Sequence, residues 1–270
     1  MSLTPNSPRH RMPFVFGPSA GPRQGPAGER YDMSHARRTV ASVSFLTEAR
    51  LLETLLPPAC ELDGEPVVTI EHAVLHALEW LAGRDYAMLS VKFPVRYRGR
   101  RETVRGPFLS VVWENRVEPI LTGREELGFA KLYCELPRAR ELRDARHYCA
   151  QWDGHTFMKM TLDKLVAAAP PQGTTYDGLL HHRYQPSLRS VGAAAIDEMV
   201  ISPAGGVDLR YESFEFATGS VEFIESTWEQ IPTMFHIVNS LAALPLVEVR
   251  RSSLARTLGA TDLANQRALE

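Results

Sequence analysis

One lysine in this sequence stands where a lysine is costly. The run Leu127-Gly128-Phe129-Ala130-Lys131-Leu132-Tyr133-Cys134 predicts a buried strand, and alternation places Lys131 on the face of Leu127, Phe129 and Tyr133. Taking an ammonium out of water disfavours its charged form and supplies the neutral amine that attacks a carbonyl carbon. From these eight residues alone, an edge strand that turns Lys131 to solvent is the better account. His72 and His76 stand four apart, as metal ligands on a helix do, but no third ligand follows at a zinc-like spacing, and the pattern around them also reads as strand. His155, His181 and His182 fit structural hydrogen bonding better than catalysis. No metal is expected. The sequence holds no GxGxxG, GxxxxGK[ST] or GxSxG pattern, so it supports neither a nucleotide cofactor nor a nucleophile elbow, and no cofactor is expected.

The elements that would position such a lysine read mostly as strands. Thr39 to Leu46 alternates and is rich in β-branched residues; Glu48 to Leu56 repeats leucines at helical spacing after Thr47, a plausible N-cap, and stops at Pro57-Pro58. Further strands are predicted at 67–75, 87–98, 108–113, 127–134, 147–162, 179–184, 207–217 and 246–250, with Asp153-Gly154 among the turns. A second helix is predicted between Pro232 and Pro245, over 233–243. Helices are too few for alternating βαβ units, so the expected class is α+β and strand-dominated: a large, mostly antiparallel curved sheet or closed barrel with a few peripheral helices.

The 270 residues, 44% hydrophobic and 23% charged, can bury one large core, and residues 31–270 are expected to form a single domain. Basic and acidic residues number 30 and 32, spread along the chain, so no polycationic face offers itself to nucleic acid. Cys60, Cys134 and Cys149 form no CxxC pair and suit a reducing compartment. The first thirty residues carry six prolines, and their apolar run, Met12 to Phe16, is too short for a membrane span or a signal core. They read as an arm that is either disordered or docked through Phe14 and Phe16. No membrane partner is expected, and the location is expected to be cytoplasmic.

Gly123-Arg124-Glu125 followed by Phe129-Ala130-Lys131 resembles the acetoacetate decarboxylase signature, in which Gly-Arg-Glu leads into aromatic-Pro-Lys-Lys. Upstream, Phe93-Pro94-Val95-Arg96-Tyr97-Arg98-Gly99 is similar to that family's apolar-Pro-Val-x-aromatic-x-Gly strand, and Glu65-Pro66-Val67 through Glu71 to the strand bearing an active-site glutamate. Leu244 to Val249 with Ser252 and Ser253 resembles the closing strand, so the likeness runs in order from about Arg37 to the C-terminus. It implies a cofactor-independent lyase that holds a small oxo acid as a Schiff base on Lys131, and a homo-oligomer. The chemistry it implies is β-keto acid decarboxylation. A pyruvate-dependent aldolase-dehydratase on the same scaffold and a non-catalytic small-ligand binder are the alternatives.

In this register Arg38 falls on the family's active-site arginine, with Arg37 one step away, and Glu71 on the first of two glutamates. A guanidinium can hold a carboxylate by two parallel hydrogen bonds, and a carboxylate can orient it or shuttle a proton. Tyr86, Met88, Leu127 and Phe129 are expected to wall the substrate pocket. Two positions depart from the family. Its second lysine is Leu132 here, which alternation turns away from Lys131. Its second glutamate is Met88, which can neither relay a proton nor repel a carboxylate, so those tasks must be absent or fall to another residue.

Overall fold

A computed structural model describes residues 10–11, 19–20, 25–29, 31, 33–205, 209–260 and 265–270. Phe14 and Phe16 lie outside the described residues. The chain opens with a two-residue antiparallel pair, β1 (His10–Arg11) and β2 (Ser19–Ala20). The body begins with β3 (Arg37–Leu46), the short helix α1 (Ala49–Glu53), β4 (Cys60–Leu62) and three long strands: β5 (Val67–Leu78), β6 (Arg84–Arg98) and β7 (Thr103–Glu114). Helix α2 (Val117–Glu125) crosses to β8 (Lys131–Tyr133). After β9 (Arg140–Leu142) comes a hairpin of β10 (Ala145–Trp152) and β11 (His155–Ala167), then β12 (Gly178–Pro186), β13 (Ala194–Pro203) and β14 (Arg210–Phe223). Helix α3 (Phe235–Ala242), β15 (Glu248–Leu258) and β16 (Arg267–Ala268) finish the chain.

All strands from β3 onward join one sheet in the order β16-β13-β12-β7-β6-β5-β3-β15-β14-β11-β10-β9, with β4 on β6 and β8 on β7. The sheet is antiparallel except where β7 meets β12 and β8. It runs from β16 to β9 without closing, so the curved-sheet expectation holds and the closed barrel does not. Strand alternation gives it two unlike faces. On one, Val43, Phe45, Ile70, Leu89, Val91 and Trp113 pack with Met158, Met160 and Leu162 of β11 into the main core. Each fully buried aliphatic side chain there contributes about 1.5–3 kcal/mol. Cover comes from α1 through Leu52 and from α3 through Val238 and Leu241. The other face carries serines, threonines and charged groups, and the candidate residues lie there.

Three local differences from the expected elements have physical reasons. The predicted 147–162 strand is a hairpin broken at Asp153-Gly154, both at positive φ (47° and 81°), as a two-residue turn of matching twist requires. Helix α2 is unexpected because it starts Val-Glu-Pro, yet Pro119 sits in the first turn, where a helix has no use for the missing N–H. The strand predicted over 127–134 is confined to Lys131–Tyr133, because Gly128 takes φ 77° and the Phe129 N–H donates to the Gly123 carbonyl at 2.9 Å. Thr47 does not cap α1: Glu48 holds that position, and no side chain caps the helix.

Candidate active site

Lys131 enters the site from β8, which α2 returns beside β7 in parallel, so that Lys131 lies opposite Val112 and Tyr133 opposite Glu114. Its Nζ donates to Glu114 Oε1 at 2.7 Å and to the Pro119 carbonyl of α2 at 3.1 Å. The lysine side chain is 11% exposed and Glu114 is 0% exposed. Burial pushes the Glu114 carboxyl above the usual range, an effect the Lys131 charge only partly offsets. Glu114 Oε2 is buried with no hydrogen-bond partner among the described residues. The lysine stem passes over Gly123 of α2: a Cβ at that position would stand 2.3 Å from Lys131 Cε. Arg124 donates to the Lys131 carbonyl at 2.8 Å, and the Phe129 ring centroid lies 5.9 Å from Nζ.

Apolar residues surround this pair. Phe129, Leu109 and Val112 form a small cluster against which Leu127, Met88 and Leu179 pack. Met88 also touches a second cluster containing Tyr86 and Leu75. Phe129 therefore lies beside Lys131 from a loop rather than by strand alternation, and Leu127 packs on the same cluster. Behind them lies His181 of β12, fully buried, its ring centroid 4.1 Å from that of Phe129 and its Nε2 2.8 Å from the Leu127 carbonyl. Burial pushes its ring down to about 4, so it is neutral, and Nδ1 has no partner among the described residues.

Cross-strand register ties the remaining candidates to the same face. One row reads Lys131–Val112–Ser90–Glu71–Ser42–Ser253 across six strands. The next reads Tyr133–Glu114–Met88–Ala73–Val40, and a third runs Tyr86–Leu75–Arg38. Glu71 thus shares a row with Lys131 but stands three strands away, about 14 Å between backbones at the usual strand spacing. It pairs with Lys92 at 2.6 Å. Burial pushes its carboxyl up, yet Lys92 and then Arg38 outweigh burial and hold it below the usual range. Arg38 also acts on Tyr86, whose phenol burial and Glu114 push up against that pull. The Arg38 Nε is buried and lacks a partner among the described residues. Leu132 packs on the main core, on the opposite side of β8 from Lys131.

Glu114 was missed in the sequence. It occupies the next register position to Met88, on the adjacent strand, so a carboxylate absent at Met88 is present 26 residues later on the same row. The strand prediction stopped at Trp113, one residue short. Carrying alternation one step past Val112 exposes it. The His72 and His76 pair lies on a strand: His72 is buried, and His76 binds Asp85 at 3.1 Å.

The sequence matches the model of the family described as acetoacetate decarboxylase over residues 11–259. No curated protein matches it. Among solved structures, acetoacetate decarboxylase from Legionella pneumophila subsp. pneumophila str. Philadelphia 1 superposes with a TM-score of 0.67 at 17% identity, over 91% of this chain and 92% of that one. An acetoacetate decarboxylase-like enzyme from Sphingomonas wittichii RW1 gives 0.64 at 17%, over 89% and 94%. The enduracididine biosynthesis enzyme MppR complexed with pyruvate gives 0.63 at 15%, over 93% and 99%. These similarities place the fold.

Proposed function

Because this chain belongs to the acetoacetate decarboxylase family, we propose that it is a lyase that binds a small oxo acid as a Schiff base on Lys131, with Glu114 as the group that moves protons for it. The observation that carries this is the 2.7 Å contact between a nearly buried lysine amine and a wholly buried carboxyl pushed above its usual range. Passing a proton from Nζ to Oε1 frees the amine lone pair in an apolar enclosure. Nζ then bonds to the ketone carbon, and the carbonyl oxygen leaves as water with the help of a proton from Glu114, giving a cationic imine. If the substrate is a β-keto acid, the bond to its carboxylate breaks, the electron pair flows into the imine and carbon dioxide departs. Glu114, left as a carboxylate by the dehydration, takes up a proton from solvent and delivers it to the enamine carbon, and water then attacks the imine, releases the ketone and restores Lys131.

Arg38, whose buried Nε has no partner among the described residues, is suited to hold the substrate carboxylate, and Glu71 orients that guanidinium. Met88 stands where the family has its second glutamate and repels no carboxylate, and this favours a second reading: a 2-oxo acid, for which MppR complexed with pyruvate is a structural parallel. The same amine would then give an enamine that adds to an aldehyde and loses water. The resemblance also supports assembly as a homo-oligomer, and the free Cys60, Cys134 and Cys149 suit a reducing compartment such as the cytoplasm.

Borohydride trapping with intact-mass detection separates the two readings, using acetoacetate, pyruvate, and pyruvate with an aldehyde. The expected result is a reducible adduct in the wild type and none in Lys131→Ala. Carbon dioxide release from acetoacetate selects the decarboxylase, and a condensation mass with the aldehyde selects the second reading. Adducts that persist in Lys131→Ala, or fail with every oxo acid in the wild type, would leave a non-catalytic binder.

A further inference from the structure

A cavity of about 550 Å³ opens on the face of the sheet opposite Lys131. Neighbouring strand residues point to opposite faces, so Thr39, beside Arg38, and His72, beside Glu71, turn toward it. His72 is 2% exposed, and its Nε2 has no hydrogen-bond partner among the described residues, an arrangement native interiors rarely leave unfilled. Its ring centroid lies 4.9 Å from that of Tyr148, another wall. Burial pushes His72 down to about 4, so the ring is neutral, and in the tautomer protonated at Nδ1 its Nε2 is a bare acceptor.

Other parts of the lining are cationic. Arg138, Arg146 and Arg256 line it. Arg138 has no ion-pair partner among the described residues, Arg146 meets Glu141 at 3.3 Å, and Arg256 stands 3.9 Å from Glu215. Asp85, the other carboxylate in the wall, is already held by His76 and by the Ala77 N–H. Burial pushes the Tyr148 phenol up to about 12, against a pull from Arg146 and Arg256, so it remains a hydroxyl donor near both guanidiniums. The cavity therefore offers cations, a phenolic donor and a lone acceptor in one lining.

We propose that this cavity is a second ligand site for a small hydroxycarboxylate, its carboxylate held by Arg146 and Arg256 and its hydroxyl donating to His72 Nε2. The volume suits such a molecule, and Lys131, Glu114 and Arg38 are not among the cavity walls, although Tyr86 is. It does not depend on any chemistry at Lys131.

Calorimetric titration of the Lys131→Ala chain with 3-hydroxybutanoate, butanoate and inorganic phosphate tests this. The expected result is binding of one 3-hydroxybutanoate per chain and several-fold weaker binding of butanoate. Arg256→Gln, at a half-exposed position, should weaken both about tenfold, the loss of one charge-assisted hydrogen bond, with circular dichroism unchanged. His72→Phe keeps a ring against Tyr148 and should erase the preference for the hydroxyl while leaving butanoate binding unchanged. The proposal is overturned by absence of binding in Lys131→Ala, by indifference to Arg256→Gln, or by phosphate binding more tightly than 3-hydroxybutanoate.

Discussion

Glu114 and Lys131 form a buried pair in which each residue determines what the other can do. Burying an ion pair is seldom worth its desolvation, so the pair is better explained by what it enables than by stability. Glu114→Gln preserves volume and one acceptor oxygen but cannot exchange a proton. It should slow imine formation by about 100-fold or more, the usual contribution of general acid–base catalysis, and single-turnover trapping would read this. Arg38→Ala should weaken an oxo acid about tenfold or more while leaving a matching ketone without a carboxylate little affected, since the lost contact is charge-assisted. Equal losses in competition binding would make Arg38 structural. At this scale the lysine was legible because a cation interrupts an apolar run. Glu114 was not, because a single carboxylate at a strand end looks like the start of a loop, and only strand pairing shows that it faces Lys131.

The crossover β7–α2–β8 is the element that makes the site. It places Lys131 beside the strand carrying Glu114, and it does so only because α2 packs against the lysine stem through a residue with no side chain. Gly123→Ala should therefore displace the lysine more than it harms the helix, where alanine is the better former by about 1 kcal/mol. Circular dichroism should remain wild-type-like while trapping on Lys131 falls sharply. Full trapping by the alanine variant would mean that α2 moves aside freely. The long alternating strands around this crossover could be read from the sequence because one face is core and the other polar. The crossover itself could not: Pro119 disguised the helix, and the apolar run 127–130, which looks like a strand, is a loop fixed by Gly128 and by the His181 bond to Leu127.

For the molecule as a whole, two buried neutral histidines, His72 and His181, are each pushed down to about 4 by burial. Their unfolded value is about 6.5, so in acid the unfolded chain takes up protons that the folded one refuses. Stability is complete above that value and is lost as pH falls from about 6.5 to about 4, by about 1.4 kcal/mol per pH unit for each ring. Urea titrations across this range should show the slope, and His181→Phe, which keeps the contact with Phe129, should remove about half of it. A slope unchanged in that variant would place the sensitivity in the carboxylates.

The sheet order also sets a sequence of events. Every candidate catalytic residue, from Arg38 to Lys131, lies in the first half of the chain, on the contiguous strands β3, β5, β6, β7 and β8. The other neighbour of β3 is β15, and the Ser42–Ser253 hydrogen bond joins residues 211 apart. On a ribosome Lys131 and Glu114 emerge early, while β3 keeps a bare edge until Leu258 has been made. Such distant pairings are slow to form, and unpaired edges invite the wrong neighbours. The groups proposed to do the chemistry are made first and fixed in place last.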